Sequence, residues 1–303
     1  MGKKISQTTK EILQIVIFLV VVAVLLTAFV CYPLNRTKAI MGRVDVDDFN
    51  PDSLPANDPT AFVEAGLPFD TFHVDPDALT RLACVYIPPL LDSGETARGT
   101  VVLLHDERDT REAMIPLATV LHDSGFGIIT YDQRASGFSG AKYHGEGRSE
   151  ADDLVEMIAY LDIRDRAVHP VTIVGQALGA DAALMAAHDE QRIDRVVAIK
   201  PYLTTSRMIT MLKDEHDCYW LPFFNTVFWW WYEIRSGYAS PYREVEQIQA
   251  VAKPSLIFDT DGAFESEEYV RLTDLSDAAL LQKQTLPTDA NTLAQAIVRF
   301  AGE

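Results

Sequence analysis

The chain has 303 residues, 48% of them apolar, enough for one sizeable core and an additional segment. Lysine and arginine total 26 against 44 aspartate and glutamate, a formal charge of −18 that repels phosphate backbones and anionic lipid surfaces and argues against a nucleic-acid partner. The cysteines Cys31, Cys84 and Cys218 have no metal-ligand spacing, and no metal or cofactor is expected; at most Cys84 and Cys218 remain for a disulfide, two separate thiols being the simpler reading.

Residues 1–11 carry Lys3, Lys4 and Lys10 and lead into residues 12–32, which are apolar except for Gln14 and Thr27. At about 1.5 Å rise per residue this run makes a helix of roughly 31 Å, the thickness of a bilayer's hydrocarbon core. A secretory signal is the competing reading, but the apolar stretch is long for one and no A-x-A site closes it, so an uncleaved single-pass anchor is expected. Arg36, Lys38 and Arg43 follow the helix and soon give way to acidic sequence. The bias puts the N-terminus in the cytoplasm and the rest of the chain on the extracytoplasmic side, periplasmic or extracellular.

Residues 33–68 hold Pro33, Pro51, Pro55, Pro59 and Pro68 among many aspartates and read as a tether packing on the surface of a domain at 69–303. Residues 69–74 and 82–87 alternate as two strands of an opening hairpin with a turn at Asp75, Pro76 and Asp77. From Thr100 strands and helices alternate. Strands are expected at 100–105, 126–132, 171–176 and 195–201, and helices at 112–122, 150–162 and about 178–188. Near-continuous apolar strands between helices argue for a parallel, doubly wound α/β sheet covered on both faces. Residues 202–246 interrupt the alternation with an aromatic insertion that includes Trp220, Phe224, Trp229 and Trp230. Such a segment can pack as a cap, roof a ligand cavity or dock a protein partner. A strand at 253–261, a short helix at 266–272, a strand at 283–286 and a helix at 290–300 close the chain.

The turn between the strand at 171–176 and its helix is Gly175, Gln176, Ala177, Leu178, Gly179. G-x-x-x-G between strand and helix is the geometry of a nucleophile elbow, with glycines making room for the central residue. With this elbow, GLPFDTFHV, VYIPP, GTVVLLH followed by Arg111, DQRASGFSG and KPSLIFDTD, the chain from about Thr60 onward resembles the α/β-hydrolases of the serine aminopeptidase-like, membrane-anchored kind. The resemblance implies an α/β-hydrolase fold with a catalytic Ser at the elbow, an acid after the next-to-last strand and a His after the last. It also implies an oxyanion hole built partly by a His-Gly pair.

Carried onto this sequence, that chemistry is missing. Ala177 holds the Ser position, the acid falls at Gly262 beside Asp261, and the His falls within 287–291, near Asp289 and Asn291. No histidine follows His216, and His105 is followed by Asp106 and Glu107 where the family has glycine. A carboxylate beside a developing oxyanion opposes the electrostatic stabilisation such catalysis relies on. The residues that would line the vestigial pocket are His105, Asp106, Gln176, Ala177 and Leu178.

Other chemistries are weaker. Asp106, Glu107 and Asp109, with Asp132, Asp259 and Asp261 on neighbouring strand ends, suggest a hard-cation site, but solvated loop carboxylates account for them. Ser136 and Ser139 read as turn residues, His144 as a base only if it folds over the pocket, and Arg134 as an ion-pair partner. Cys218 lacks a following histidine; His169, His188 and His216 read as surface or element-end residues. Three functions stay open: an inactive relative that binds a protein or a small apolar ligand, an active hydrolase with a rearranged site, and an accessory subunit of a membrane complex.

Overall fold

The computed structural model describes residues 7–32, 34–35, 42–43, 57–78, 80–145, 147–204, 207–208, 210–211, 230, 234 and 253–303. The chain divides into two units, one of residues 1–41 with 209–240 and one of 42–208 with 241–303.

In the first unit, α1 (Gln7–Leu26) continues through a π-helical turn, Thr27–Cys31. Over Gln7–Cys31 the mean hydropathy reaches 3.0 in the most apolar window, and the helix is long and apolar enough to cross a membrane, as a signal sequence also would be. Trp230 is helical and exposed. Trp220, Phe224 and Trp229 fall outside the described residues, as do Cys218, His216 and most of the insertion and the tether.

In the second unit, α2 (Thr60–Glu64) precedes the hairpin of β1 (Asp70–Val74) and β2 (Leu82–Ile87). The alternating units follow: β3 (Thr100–Leu104), a 3-10 turn (Arg111–Met114) running into α3 (Ile115–Asp123), β4 (Gly127–Tyr131), α4 (Arg148–Ile163), β5 (Val171–Gln176), α5 (Leu178–Asp189) and β6 (Arg195–Ile199). After the insertion come β7 (Ser255–Asp259), α6 (Glu267–Leu275), β8 (Leu281–Thr285) and α7 (Ala290–Ala301).

The strands form one sheet in the order β1-β2-β4-β3-β5-β6-β7-β8. β1, β2 and β4 pair antiparallel; every pairing from β4 through β8 is parallel. Parallel strands need helical crossovers, so both faces are covered. Val102 and Leu104 face a core with Leu154, Met157, Ala183 and Leu184. Val101 and Leu103 face the other, with Leu121, Phe126, Ile297 and Phe300.

Two local findings refine the sequence reading. The end of the 33–68 segment is folded into the domain. Phe62 of α2 is fully buried, worth about 1.5–3 kcal/mol of transfer free energy, and Asn57 donates to the carbonyls of Phe72 and Cys84. The helix at 112–122 opens as a 3-10 turn because Arg111 is drawn inward: its main-chain N–H donates to Asp132 Oδ1 at 2.9 Å, and its guanidinium donates to Ala83 O, Asn57 Oδ1 and Asp58 O.

Candidate functional site

The elbow is built as its glycines require. A methyl on Gly175 would lie 2.2 Å from Gly179 O, so helix α5 starts directly against the end of β5. Ala177 sits at φ 46°, ψ −112°, a backbone conformation that costs a non-glycine residue of order 1–3 kcal/mol and persists only where the surroundings impose it. Its N–H donates to Ile199 O at 2.9 Å and its carbonyl accepts from Ala180 and Asp181. The centre of the strand-to-helix turn thus presents a methyl group, 8% exposed. Leu178 is buried beside it, and Gln176 is partly exposed at the end of β5.

The loop after β3 carries Asp106 and Glu107. The main-chain N–H of Glu107 is taken up by Asp106 Oδ1 at 2.6 Å. Burial, reinforced by the adjacent Glu107, pushes the Asp106 pKa up to about 8. His105 is fully buried and its ring is used structurally. Gln133 N–H donates to Nε2 at 2.9 Å, which leaves the proton on Nδ1 to donate to Asp106 O. Burial holds its pKa below the ordinary histidine value.

The segments onto which the acid and His were carried follow β7 and β8, neighbouring parallel strands. Asp259 is buried and accepts from Thr260 N–H at 2.8 Å and Tyr269 hydroxyl at 2.7 Å, with Arg207 Nη2 at 3.4 Å. Asp261 lies in a 3-10 turn, Asp261–Glu265, and accepts from Thr285 Oγ1. Gly262 has open space around its α-carbon. Asp289 caps α7, accepting from Thr292 N–H at 2.8 Å, and Asn291 is exposed in its first turn. The Thr292 side chain, and after it the Thr292 N–H, hold the Asp289 carboxyl below its ordinary pKa.

The loop from Asp132 is a brace. Arg111 and Phe138 N–H groups occupy the two oxygens of the Asp132 carboxylate, and Ser139 Oγ donates to Asp132 O while accepting from Ala83 N–H. Arg134 makes a bidentate pair with Asp153 at 2.8 and 2.6 Å. Cys84 is a buried free thiol, its pKa raised by burial. Among the described residues no group of three or more His, Cys, Asp or Glu could hold a metal ion. Asp132 and Asp259 both accept from main-chain donors.

Two elements were not foreseen, Asp181 and Tyr202. Asp181, in the first turn of α5, accepts from the N–H groups of Tyr202 and Leu203, and burial raises its pKa to about 7. Its being the one charge amid GADAALMAAH was the available signal. Tyr202 donates to Glu107 Oε1 at 2.7 Å, a contact across the chain that no local pattern announces. His144 is buried with neither ring nitrogen hydrogen-bonded, and its Nδ1 lies 3.7 Å from Glu150 Oε1.

The profile of the Hydrolase_4 family, serine aminopeptidase, S33, matches residues 95–281, well over half of the chain. Comparison with curated proteins gives no match. Among solved structures the chain is similar to an esterase of Pyrococcus furiosus, with TM-score 0.62 and 19% identity over 86% of this chain and 97% of that one. It is also similar to Est1E of Butyrivibrio proteoclasticus, solved with ferulic acid bound (0.57, 15%, 76% and 97%), and to a bromoperoxidase of Bacillus anthracis (0.53, 16%, 77% and 100%). At such identities the likeness is one of fold.

Proposed function

The chain belongs to the serine aminopeptidase S33 family, and from that premise we propose a member that has given up the family's hydrolysis: a membrane-anchored α/β-hydrolase domain that works by binding. The observation that carries this reading is Ala177, held in the strained elbow conformation with a methyl group in place of a nucleophile. Three others support it. The loop from Leu286 to Asp289 offers no imidazole. The Glu107 main-chain N–H is already taken up by Asp106 Oδ1, and the His105 ring is bonded to the main chain. Removal of a whole triad leaves a hydrolase only the residual rate from its oxyanion hole and binding, and here the hole is altered too.

In this reading α1 is an uncleaved anchor with the N-terminus in the cytoplasm, and the aromatic insertion of residues 202–246 or the vestigial pocket contacts a protein partner or a small apolar ligand. Mild detergent extraction from native membranes, followed by native mass spectrometry, tests it. A stoichiometric protein companion or a retained small molecule is expected, with α1 still attached. A bare monomer starting beyond residue 31 would contradict both the anchor and the binding role.

A second reading, an active esterase or peptidase with a rearranged site, draws on His144, a buried histidine beside Glu150 with both ring nitrogens unpartnered. It requires a serine or cysteine that reacts with an electrophilic probe.

A further inference from the structure

The segment leaving β6 turns back across the elbow. β5 lies between β3 and β6 in the sheet, so a side chain reaching from beyond β6 to the loop after β3 passes over the end of β5, where Ala177 stands. Tyr202 spans that gap, its hydroxyl donating to Glu107 Oε1 at 2.7 Å. Its own N–H and that of Leu203 donate to the two oxygens of Asp181 at 3.2 and 2.9 Å, fastening the segment to the first turn of α5. Tyr202 is 4% exposed and Glu107 3%. On either side of Tyr202, Lys200 and Leu203 take φ values of 50° and 67°, left-handed conformations that non-glycine residues hold only when surrounding contacts impose them. The segment is therefore held down against its local backbone preference by two identifiable fastenings.

We propose that Tyr202 is an autoinhibitory bar over the elbow, flanked by strained residues at 200 and 203 and latched on Glu107, and that the elbow admits solutes only when the latch breaks. Glu107 Oε2 is buried without a hydrogen-bond partner, so the same carboxylate can accept a donor from whatever displaces the tyrosine. The inference concerns access and holds whether or not the elbow does chemistry.

The test uses Ala177→Cys as a reporter in the full-length protein in detergent, with Cys31→Ser and Cys218→Ser to remove competing thiols. Labelling at position 177 by a small neutral thiol reagent is followed by peptide mass spectrometry on the high-pH plateau, so that a shifted thiol pKa is not read as access. Hydrogen bonds to charged groups are strong enough that losing the latch opens the recess about tenfold or more. Tyr202→Phe, which keeps the ring and removes the latch, is expected to accelerate labelling by that factor; Glu107→Ala, which also removes the Arg108 contact at 3.8 Å, by at least as much, and Tyr202→Phe added to Glu107→Ala no further. Thermal unfolding establishes that each variant is folded, and Tyr202→Phe decides if Glu107→Ala is not. An unchanged rate in folded Tyr202→Phe, or multiplying effects in the double variant, would overturn the proposal.

Discussion

Gly179 packs against the carbonyl of His105 so closely that a methyl group there would lie 2.6 Å from that oxygen and 2.8 Å from Leu104 Cβ. The start of α5 therefore rests on the end of β3, which makes the elbow and the loop after β3 one site. Overpacking such a contact costs about 1–3 kcal/mol. Gly179→Ala and Gly175→Ala should each lower the urea midpoint accordingly, while Gly262→Ala, with nothing within 4 Å, should leave it unchanged.

The ion pairs separate into buried and exposed. Arg134 and Asp153 have side chains 14% and 1% exposed; removing Asp153 leaves Arg134 only Asp77 at 3.5 Å, a cost near the low end of the about 3–5 kcal/mol of a broken buried pair. Arg81 and Asp75 are both more than half exposed, a setting worth under about 1 kcal/mol. Denaturant unfolding of Asp153→Ala and Asp75→Ala should show that contrast.

Much of the fold was legible because it rests on local pattern. Strand interiors such as Val101 to Leu104 are apolar on both faces, and Gly175 and Gly179 mark the elbow by spacing alone. Ala177 is placed at the strand-to-helix turn for the same reason, by its position between two glycines. The roles of His105, Asp181 and Tyr202 were not legible. His105 spends its ring on Gln133 and Asp106, and Tyr202 meets Glu107 across 95 residues of chain, so only the assembled sheet brings these partners together. Nor were the partners of Asp132 and Asp259 legible: both accept from N–H or O–H donors that the sequence does not display.

Asp106 gives the domain a pH signature of defined sign. Its pKa rises from 3.8 to about 8 on folding, so the folded state binds the extra proton. That contribution to stability is complete below about pH 4 and is lost as pH rises through 8. Asp106→Asn, which mimics the protonated carboxyl, should flatten the fall in urea midpoint between pH 4 and pH 8 relative to the unaltered protein. An identical slope in the two proteins would mean that this carboxyl does not carry the effect.

Restoring the nucleophile alone should not restore turnover. Ala177→Ser supplies a hydroxyl in the elbow, but the loop after β8 still offers Asp289 as a helix cap and no base. Hydrolysis of short and long acyl esters by this variant is expected to stay at background. Rapid turnover would show that a base lies elsewhere, with His144 the first residue to substitute.

The most direct measurement is covalent labelling of the full-length protein in detergent with a broad serine-hydrolase phosphonate, read by peptide mass spectrometry alongside ester turnover. The account predicts no labelled serine and no turnover from folded, monodisperse protein. A single stoichiometrically labelled serine with matching turnover would contradict it and identify the replacement nucleophile.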